Sequence, residues 1–150
     1  MEKLSVDDVE SDGMGAADRR GLSEPLNTSD LAINYYHLQP GEGFSGGLHA
    51  HMDQEELFFV IDGEATFELP DETVTVGERE AIRFAPGEFQ RGSNESDSDL
   101  TALALGAPRD SEDVRVPQPC PEGDSDDMRI RFGEGEMTLV CPECGTELEG

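Results

Sequence analysis

Residues 43–63, GFSGGLHAHMDQEELFFVIDG, constrain the fold of this chain more than any other stretch. His49 and His51 lie two residues apart, a spacing that places both imidazoles on one face of a β-strand. Glu56 follows a short polar break and opens an apolar run that ends at an Asp-Gly turn. Because adjacent strands lie about 4.8 Å apart, this carboxylate can approach both imidazoles. Such a set suits a divalent transition metal; the alternative is a surface histidine pair beside an acidic turn.

The spacing within this stretch, Gly43-x5-His49-x-His51-x4-Glu56-x6-Gly63, resembles the first signature motif of the cupins. Cupins are small β-barrels that bind a metal with those residues. The resemblance implies an all-β fold, the cupin double-stranded β-helix or jelly-roll barrel. It also implies that the two histidines and the glutamate are metal ligands.

The second half of the family's site differs in this chain. Cupins carry a second motif, Gly-x5-Pro-x-Gly-x2-His-x3-Asn, whose histidine is the fourth ligand. Residues 79–94 match that motif at Gly87 and Asn94, with Gln90 in the place of the histidine. A neutral amide oxygen is a weaker partner for a first-row metal than imidazole. Gln90 is therefore predicted as a weak fourth ligand or as a group beside the ligands; otherwise the pocket takes an organic molecule without metal.

Short apolar runs separated by turns make up most of the remaining chain, without a useful helical period. This pattern favours a sandwich or a small barrel. Strands are predicted at 31–38, 57–61, 64–69, 73–76, 80–84 and 100–105. The residues predicted to line the interior are Phe58, Val60, Phe67, Ile82, Phe84 and Leu103. His37, the third histidine, is predicted to lie at a strand edge or at the surface.

Four segments follow from composition: an N-terminal arm at 1–30, the barrel at 31–107, a linker at 108–117 and a C-terminal module at 118–150. The linker is indicated by its proline, serine and charge content. In cupins such an arm often adds a strand across a dimer, so the resemblance implies a homodimer. The alternative for the arm is a frayed terminus.

All three cysteines lie in the C-terminal module. Cys120-Pro-Glu-Gly123 and Cys141-Pro-Glu-Cys144-Gly145 resemble the two knuckles of a zinc ribbon, with a predicted hairpin between them. Gly123 stands at the second cysteine position, so one thiolate is missing. The ligands predicted for zinc are Cys120, Cys141 and Cys144, with Asp124, Glu122, a partner chain or water in place of the fourth. The alternatives are a hairpin docked on the barrel without metal, and redox-active thiols.

The formal net charge is −25, from 35 acidic and 10 basic residues spread along the chain. Such a surface is typical of salt-accumulating cells, where the screening length falls to about 3 Å or less. It predicts a halophilic source, and a halophilic archaeon in particular. It argues against binding to nucleic acid or anionic membranes, which both require cationic surface. Without an apolar run of about 20 residues or a signal core, the chain is expected to be soluble and cytoplasmic.

The resemblance implies a metal-binding protein that acts on or binds a small polar molecule in its barrel. It implies Fe, Mn or Ni as the metal, and dioxygenase or isomerase chemistry as typical of the family. Open coordination positions would let the metal act as a Lewis acid or bind oxygen. The alternative is a non-catalytic sensor or binding module whose ribbon contacts other proteins. The sequence names no substrate, and it shows no acid–base constellation beyond the metal ligands.

Overall fold

The computed structural model describes residues 1–13 and 17–150. These residues contain a short 3-10 turn, Val6–Asp8, and thirteen β-strands. The strands are β1 (Asp18–Gly21), β2 (Ala32–Leu38), β3 (Ala50–His51), β4 (Glu55–Asp62), β5 (Ala65–Glu68), β6 (Thr73–Val76), β7 (Ala81–Phe84), β8 (Arg91–Ser93), β9 (Leu100–Ala107), β10 (Val114–Val116), β11 (Met128–Gly133), β12 (Glu136–Val140) and β13 (Glu147–Glu149). Across the described part of the chain, no helix has the length and apolar character needed to cross a bilayer.

Two antiparallel sheets pack together as a jelly-roll barrel, which confirms the predicted fold. The larger sheet has the strand order β1-β2-β9-β4-β7, and the smaller has the order β6-β5-β8. Side chains of both sheets share one core, since the ring of Phe58 in β4 lies 5.0 Å from that of Phe67 in β5. Isolated bridges join Gly43 to Ser93 and His49 to Gln90. The second bridge carries two of the predicted site residues.

The apolar run of β4 is divided between the two faces of the larger sheet. Phe58 and Val60 are 4% and 0% exposed and point into the core, whereas Phe59 and Ile61 are 36% and 39% exposed on the outer face. This alternation is the ordinary consequence of the two-residue period of a strand. Glu56 lies two residues before Phe58 and therefore points to the same inner face of the sheet, so its carboxylate enters the barrel.

Of the six residues predicted to line the interior, Leu103 is wrong. Phe58, Val60, Phe67 and Phe84 are buried, and Ile82 packs against them. In β9 the inward positions are held by Leu100, Ala102 and Ala104, whereas Leu103 pairs with the outward Phe59. The sequence LTALAL suggests that the larger leucines fill the core. The Phe rings opposite already occupy that volume, so alanines fit there instead.

The predicted linker at 108–117 is not a free connection. Its residues Val114–Val116 form β10, which pairs with β3 on one side and with β11 on the other. A continuous sheet, β13-β12-β11-β10-β3, therefore runs from the C-terminal module to the strand that carries His51. Asp113 reinforces the junction, because its carboxylate pairs with Arg115 and Arg129 at 3.0 and 2.9 Å. Sequence patterns did not predict β10, because it has only three residues and lies in a segment with proline and many charged residues.

The N-terminal arm contributes β1 to the edge of the larger sheet. Arg19 of β1 stands opposite Tyr36 of β2, and Gly21 stands opposite Asn34. The arm thus adds a strand to the barrel of its own chain. Residues 14–16 of the arm lie outside the described residues.

Candidate metal centre

The structure brings together the three predicted ligands His49, His51 and Glu56. Their ligand atoms all lie within 4.8 Å of one another, and each residue is partly buried. His49 ends the glycine-rich loop, His51 belongs to β3, and Glu56 belongs to β4. The two imidazoles meet edge to face with their centroids 5.2 Å apart.

His49 is held by the backbone of its own loop. Its Nδ1 lies 2.8 Å from the carbonyl oxygen of Gly47. Because a carbonyl only accepts hydrogen bonds, Nδ1 must carry the proton. Nε2 is then left with a free lone pair, which is the form in which imidazole binds a metal.

His51 is held in the same tautomer by residues far away in sequence. Its Nδ1 lies 3.0 Å from the hydroxyl of Ser111, and that hydroxyl donates its proton to Asp53 at 2.6 Å. The serine oxygen must therefore accept from the imidazole, so the proton is on Nδ1 and the lone pair is on Nε2. Nε2 lies 3.5 Å from a carboxylate oxygen of Glu56.

The orientation of His51 was beyond sequence reasoning. Ser111 lies in the segment predicted as a linker, and 58 residues separate it from Asp53. Asp53 also accepts backbone N–H groups of Glu112 and Asp113 at 2.7 and 3.2 Å. Its carboxylate thus fixes residues 111–113 against the loop that follows His51. Because the two segments are far apart in the sequence, no local pattern predicts this contact.

Gln90 lies beside His49 and Glu56, with its side chain almost fully buried. Its amide nitrogen donates to Glu56 at 3.1 Å, while its backbone exchanges hydrogen bonds with His49 at 3.2 and 2.9 Å. The amide oxygen is buried and has no partner among the described residues. An unpartnered buried acceptor costs about 1–3 kcal/mol, so this oxygen favours a donor or a cation beside it.

Burial shifts the acid–base properties of the site. It raises the pKa of Glu56 to about 7, against the hydrogen bond from Gln90, which lowers it. It lowers the pKa of His51 to about 4, helped by the neighbouring His49 and opposed by Asp53. Near neutral pH His51 is uncharged and Glu56 is partly protonated. The imidazoles of His49 and His51, a carboxylate with no cationic partner among the described residues and the unpartnered amide oxygen together fit a divalent metal ion.

The ligands face a cavity of about 720 Å³. Residues of β1, β2 and β9 line this space, among them Gly21, Asn34 and Ala104. Glu56 stands opposite Gly106 in the pairing of β4 with β9. The cavity is therefore a gap in the core that begins where the carboxylate enters the barrel.

Tyr36 and Arg19 line the same cavity and were missed by the sequence analysis, which found no acid–base groups beyond the ligands. Arg19 Nε donates to the Tyr36 hydroxyl at 3.2 Å, so the hydroxyl keeps its own proton for another acceptor. Burial raises the pKa of Tyr36, against the influence of Arg19. Arg19 comes from the arm, where the pair Arg19-Arg20 does not indicate a site before the strand pairing is known.

The other predicted residues lie away from this site. His37 contacts Asp99 and Thr101 at 3.0 and 3.2 Å on the outer side of the larger sheet. The sulfur atoms of the three cysteines Cys120, Cys141 and Cys144 lie within 4.8 Å of one another in the C-terminal module. The described residues thus include two separate clusters of potential metal ligands.

Comparison with known proteins agrees with the architecture. The family model "Cupin domain" matches residues 34–106. No curated protein matches the sequence. A sugar phosphate isomerase of the cupin superfamily from Silicibacter pomeroyi is similar in structure, with 19% identity, a TM-score of 0.64 and coverage of 98% of this chain and 92% of its own.

Two further solved structures match a smaller share of this chain. A predicted oxalate decarboxylase from Thermotoga maritima has 21% identity and a TM-score of 0.59, and the match covers 70% of this chain and 97% of its own. An uncharacterized protein with a double-stranded β-helix domain from Klebsiella pneumoniae has 20% identity and a TM-score of 0.61, with coverage of 75% and 94%. At these identities the similarity establishes the fold alone.

Glu56→Gln is expected to stabilise the metal-free protein at high pH. The raised pKa of Glu56 means that its contribution to folding stability is fully present below about pH 4.5 and is lost as the pH rises through about 7. The glutamine keeps the shape without the buried charge. We expect the variant to gain about 2–3 kcal/mol in unfolding free energy over wild type at pH 8, and little at pH 4.5.

Urea denaturation in molar KCl with a chelator present measures this difference. Glu55→Gln is the matched control, because Glu55 faces outward and pairs with Arg83. A stability difference for Glu56→Gln that is the same at both pH values would contradict the predicted burial cost.

Proposed function

Residues 34–106 of this chain form a cupin domain, and from this premise we propose that its barrel binds a divalent transition metal and acts there on a small polar molecule. The ligands are His49, His51 and Glu56. One observation carries the proposal: both histidines donate Nδ1–H to fixed acceptors, which leaves both Nε2 lone pairs for a metal.

The donor set suits Fe, Mn or Ni, because imidazole and carboxylate together match these ions. Such an ion, which His49, His51 and Glu56 would hold, would supply a Lewis acid to the bound molecule. Gln90 holds the Glu56 carboxylate through its amide nitrogen and offers its unpartnered oxygen as a weak additional ligand.

The opposite wall of the cavity binds and orients the small molecule. The Tyr36 hydroxyl, which accepts from Arg19, donates its proton to an oxygen of that molecule. Asn34 accepts from the same guanidinium at 3.1 Å and keeps Arg19 in place. The rings of Phe44 and Phe58 lie 5.0 Å apart along the cavity and exclude water from one side.

The reaction class that we propose is isomerisation or oxygenation of a small polar compound. The similar proteins from Silicibacter pomeroyi and Thermotoga maritima, a sugar phosphate isomerase and a predicted oxalate decarboxylase, support chemistry on small oxygen-rich molecules. The polar wall of Arg19, Asn34 and Tyr36 supports the same class.

Gln90 favours a second candidate function, a non-catalytic module that binds or senses a small molecule. An amide in place of a fourth imidazole weakens the hold on the metal. Metal affinity therefore separates the two candidates, since only the first requires the ion for its activity.

We also infer that the protein works in a salt-rich cytoplasm. The net charge of −25 supports this inference, because concentrated salt screens the self-repulsion of such a surface. Measurements on this protein therefore require molar KCl.

The metal proposal is tested with the full chain, stripped with a chelator and reloaded with Mn²⁺, Fe²⁺ or Ni²⁺ in turn. Wild type is expected to bind one ion in the barrel, and His49→Ala/His51→Ala is expected to bind it at least about 100-fold more weakly, because two of three ligands are lost. His37→Ala is the matched control, since His37 lies outside the site. Elemental analysis after dialysis gives the stoichiometry.

Retention of barrel metal by the double variant would overturn the ligand assignment. Absence of any bound metal in reloaded wild type would favour the non-catalytic candidate.

Ser111→Ala is expected to weaken barrel metal binding by about 10-fold, although Ser111 is not a ligand. The change removes the acceptor for His51 Nδ1–H, so the imidazole loses its fixed tautomer and orientation. Ser111→Thr, which keeps the hydroxyl, is expected to restore affinity. Calorimetric titration with Ni²⁺ measures the effect, and equal affinity of the alanine variant and wild type would remove Ser111 from the site.

The outer face of the larger sheet supports a homodimer. Tyr35, Leu103 and Phe59 stand side by side across β2, β9 and β4, and the next row holds Ile33, Leu105 and Leu57. An apolar outer face of this kind on a highly charged protein is typical of a surface that meets a partner. A second copy of the chain offers the same face.

Phe59→Arg is expected to convert the dimer into a monomer, because a charge would enter the apolar contact. Sedimentation equilibrium in molar KCl measures the mass. Phe132→Arg is the control, since Phe132 is 78% exposed on the C-terminal hairpin. A monomeric wild type would refute the dimer.

A further inference from the structure

The three cysteines of the C-terminal module are arranged as if around one ion. The sulfur atoms of Cys120 and Cys144 lie 3.6 Å apart, and all three sulfur atoms lie within 4.8 Å of one another. A disulfide would bring two sulfur atoms to about 2.05 Å. Two thiolates bound at about 2.3 Å to one tetrahedral Zn²⁺ lie about 3.8 Å apart. The observed spacing matches a shared ion.

Two equivalent turns present these cysteines. The N–H of Cys120 donates to the carbonyl of Ser125 at 2.9 Å, and the N–H of Cys141 donates to the carbonyl of Thr146 at 2.9 Å. Each turn therefore closes over the same number of residues, and Gly123 stands in the first turn where Cys144 stands in the second. The sequence-based placement of the missing thiolate at position 123 agrees with this geometry.

The position of the missing thiolate is open. A Cβ built on Gly123 would meet no atom within 4 Å. Gly123 is also left-handed, with φ of 81°, so the chain turns sharply before Asp124. The exposed Asp124 follows this turn directly. A carboxylate oxygen is a recognised zinc ligand alongside thiolates.

The module has little else to hold it together. Its buried core consists of Cys120, Met128 and Cys141, with Leu139 and Leu148 packed against them. A core of this size does not stabilise some 30 residues by itself, and small modules of this kind usually obtain their folding energy from a bound metal.

We propose that Cys120, Cys141 and Cys144 bind one Zn²⁺, with the carboxylate of Asp124 as the fourth ligand. The three thiols lose their protons when the ion binds, and the ion replaces the missing apolar core. Because β11 of this module pairs with β10, and β10 pairs with β3, the ion also stabilises the strand beside His51. The proposal does not depend on a metal in the barrel.

The test uses the full chain with His49→Ala/His51→Ala, so that the barrel does not compete for the ion. The protein is prepared under reducing conditions, loaded with ZnCl₂ and dialysed in molar KCl. We expect one zinc per chain, and three thiols that react with a thiol reagent only after a chelator is added. Cys141→Ser in the same background is expected to lose the zinc. No bound zinc, or three thiols that react at once in the loaded protein, would overturn the site.

Asp124 is tested separately, with variants that keep all three cysteines. Asp124→Ala is expected to lower zinc affinity by about 10-fold or more, whereas Asp126→Ala, an exposed neighbour, leaves it unchanged. Asp124→Cys is expected to tighten binding, and in the Co²⁺-loaded protein to raise the thiolate charge-transfer absorption from that of three sulfur ligands to that of four. Equal affinity of wild type and Asp124→Ala would overturn the assignment of the fourth ligand.

The converse test uses the Cys141→Ser variant of a chain that keeps His49 and His51. Barrel metal that persists in this variant, measured with Mn²⁺, shows that failure of the zinc site leaves the barrel proposal standing. Circular dichroism of the same sample separates loss of zinc from loss of the whole fold.

Discussion

The burial of a carboxylate and two imidazoles inside an apolar barrel is the constraint on which the rest of this structure depends. Desolvation is the main cause that raises the pKa of Glu56 to about 7 and lowers that of His51 to about 4, so both groups favour their neutral forms. Such a cluster weakens the fold unless something compensates it. The surrounding Phe side chains pack across both sheets, and this packing offsets the cost of burying the polar cluster.

The two ends of the chain complete this site. The segment after the barrel supplies Ser111, whose hydroxyl links His51 to Asp53. The arm before the barrel supplies Arg19, whose guanidinium holds Tyr36. Both segments resemble connections in composition, yet each is fixed to the barrel by strand pairing, β10 to β3 and β1 to β2. The site therefore draws on residues from Arg19 to Ser111.

The predicted strands and the predicted ligand set followed from short-range patterns. An apolar run bounded by turns defines a strand through its own residues, and the spacing of His49, His51 and Glu56 is preserved by two neighbouring strands and one short loop. Predictions failed where a pattern was compatible with two arrangements. LTALAL satisfies the strand period with either face inward, and only the volume of the Phe rings opposite decides that Leu103 faces out.

The sequence by itself determined the all-β fold, the convergence of His49, His51 and Glu56 and the presence of Gln90 where the cupin motif has a histidine, because each depends on residues close together in the chain. The tertiary structure alone decided which nitrogen of His51 is free, which residues face the ligands across the cavity, and that the C-terminal module shares a sheet with β3. These features depend on pairs such as Asp53 with Ser111 and Arg19 with Tyr36. Such contacts form only when the whole chain has folded, because no local periodicity encodes them.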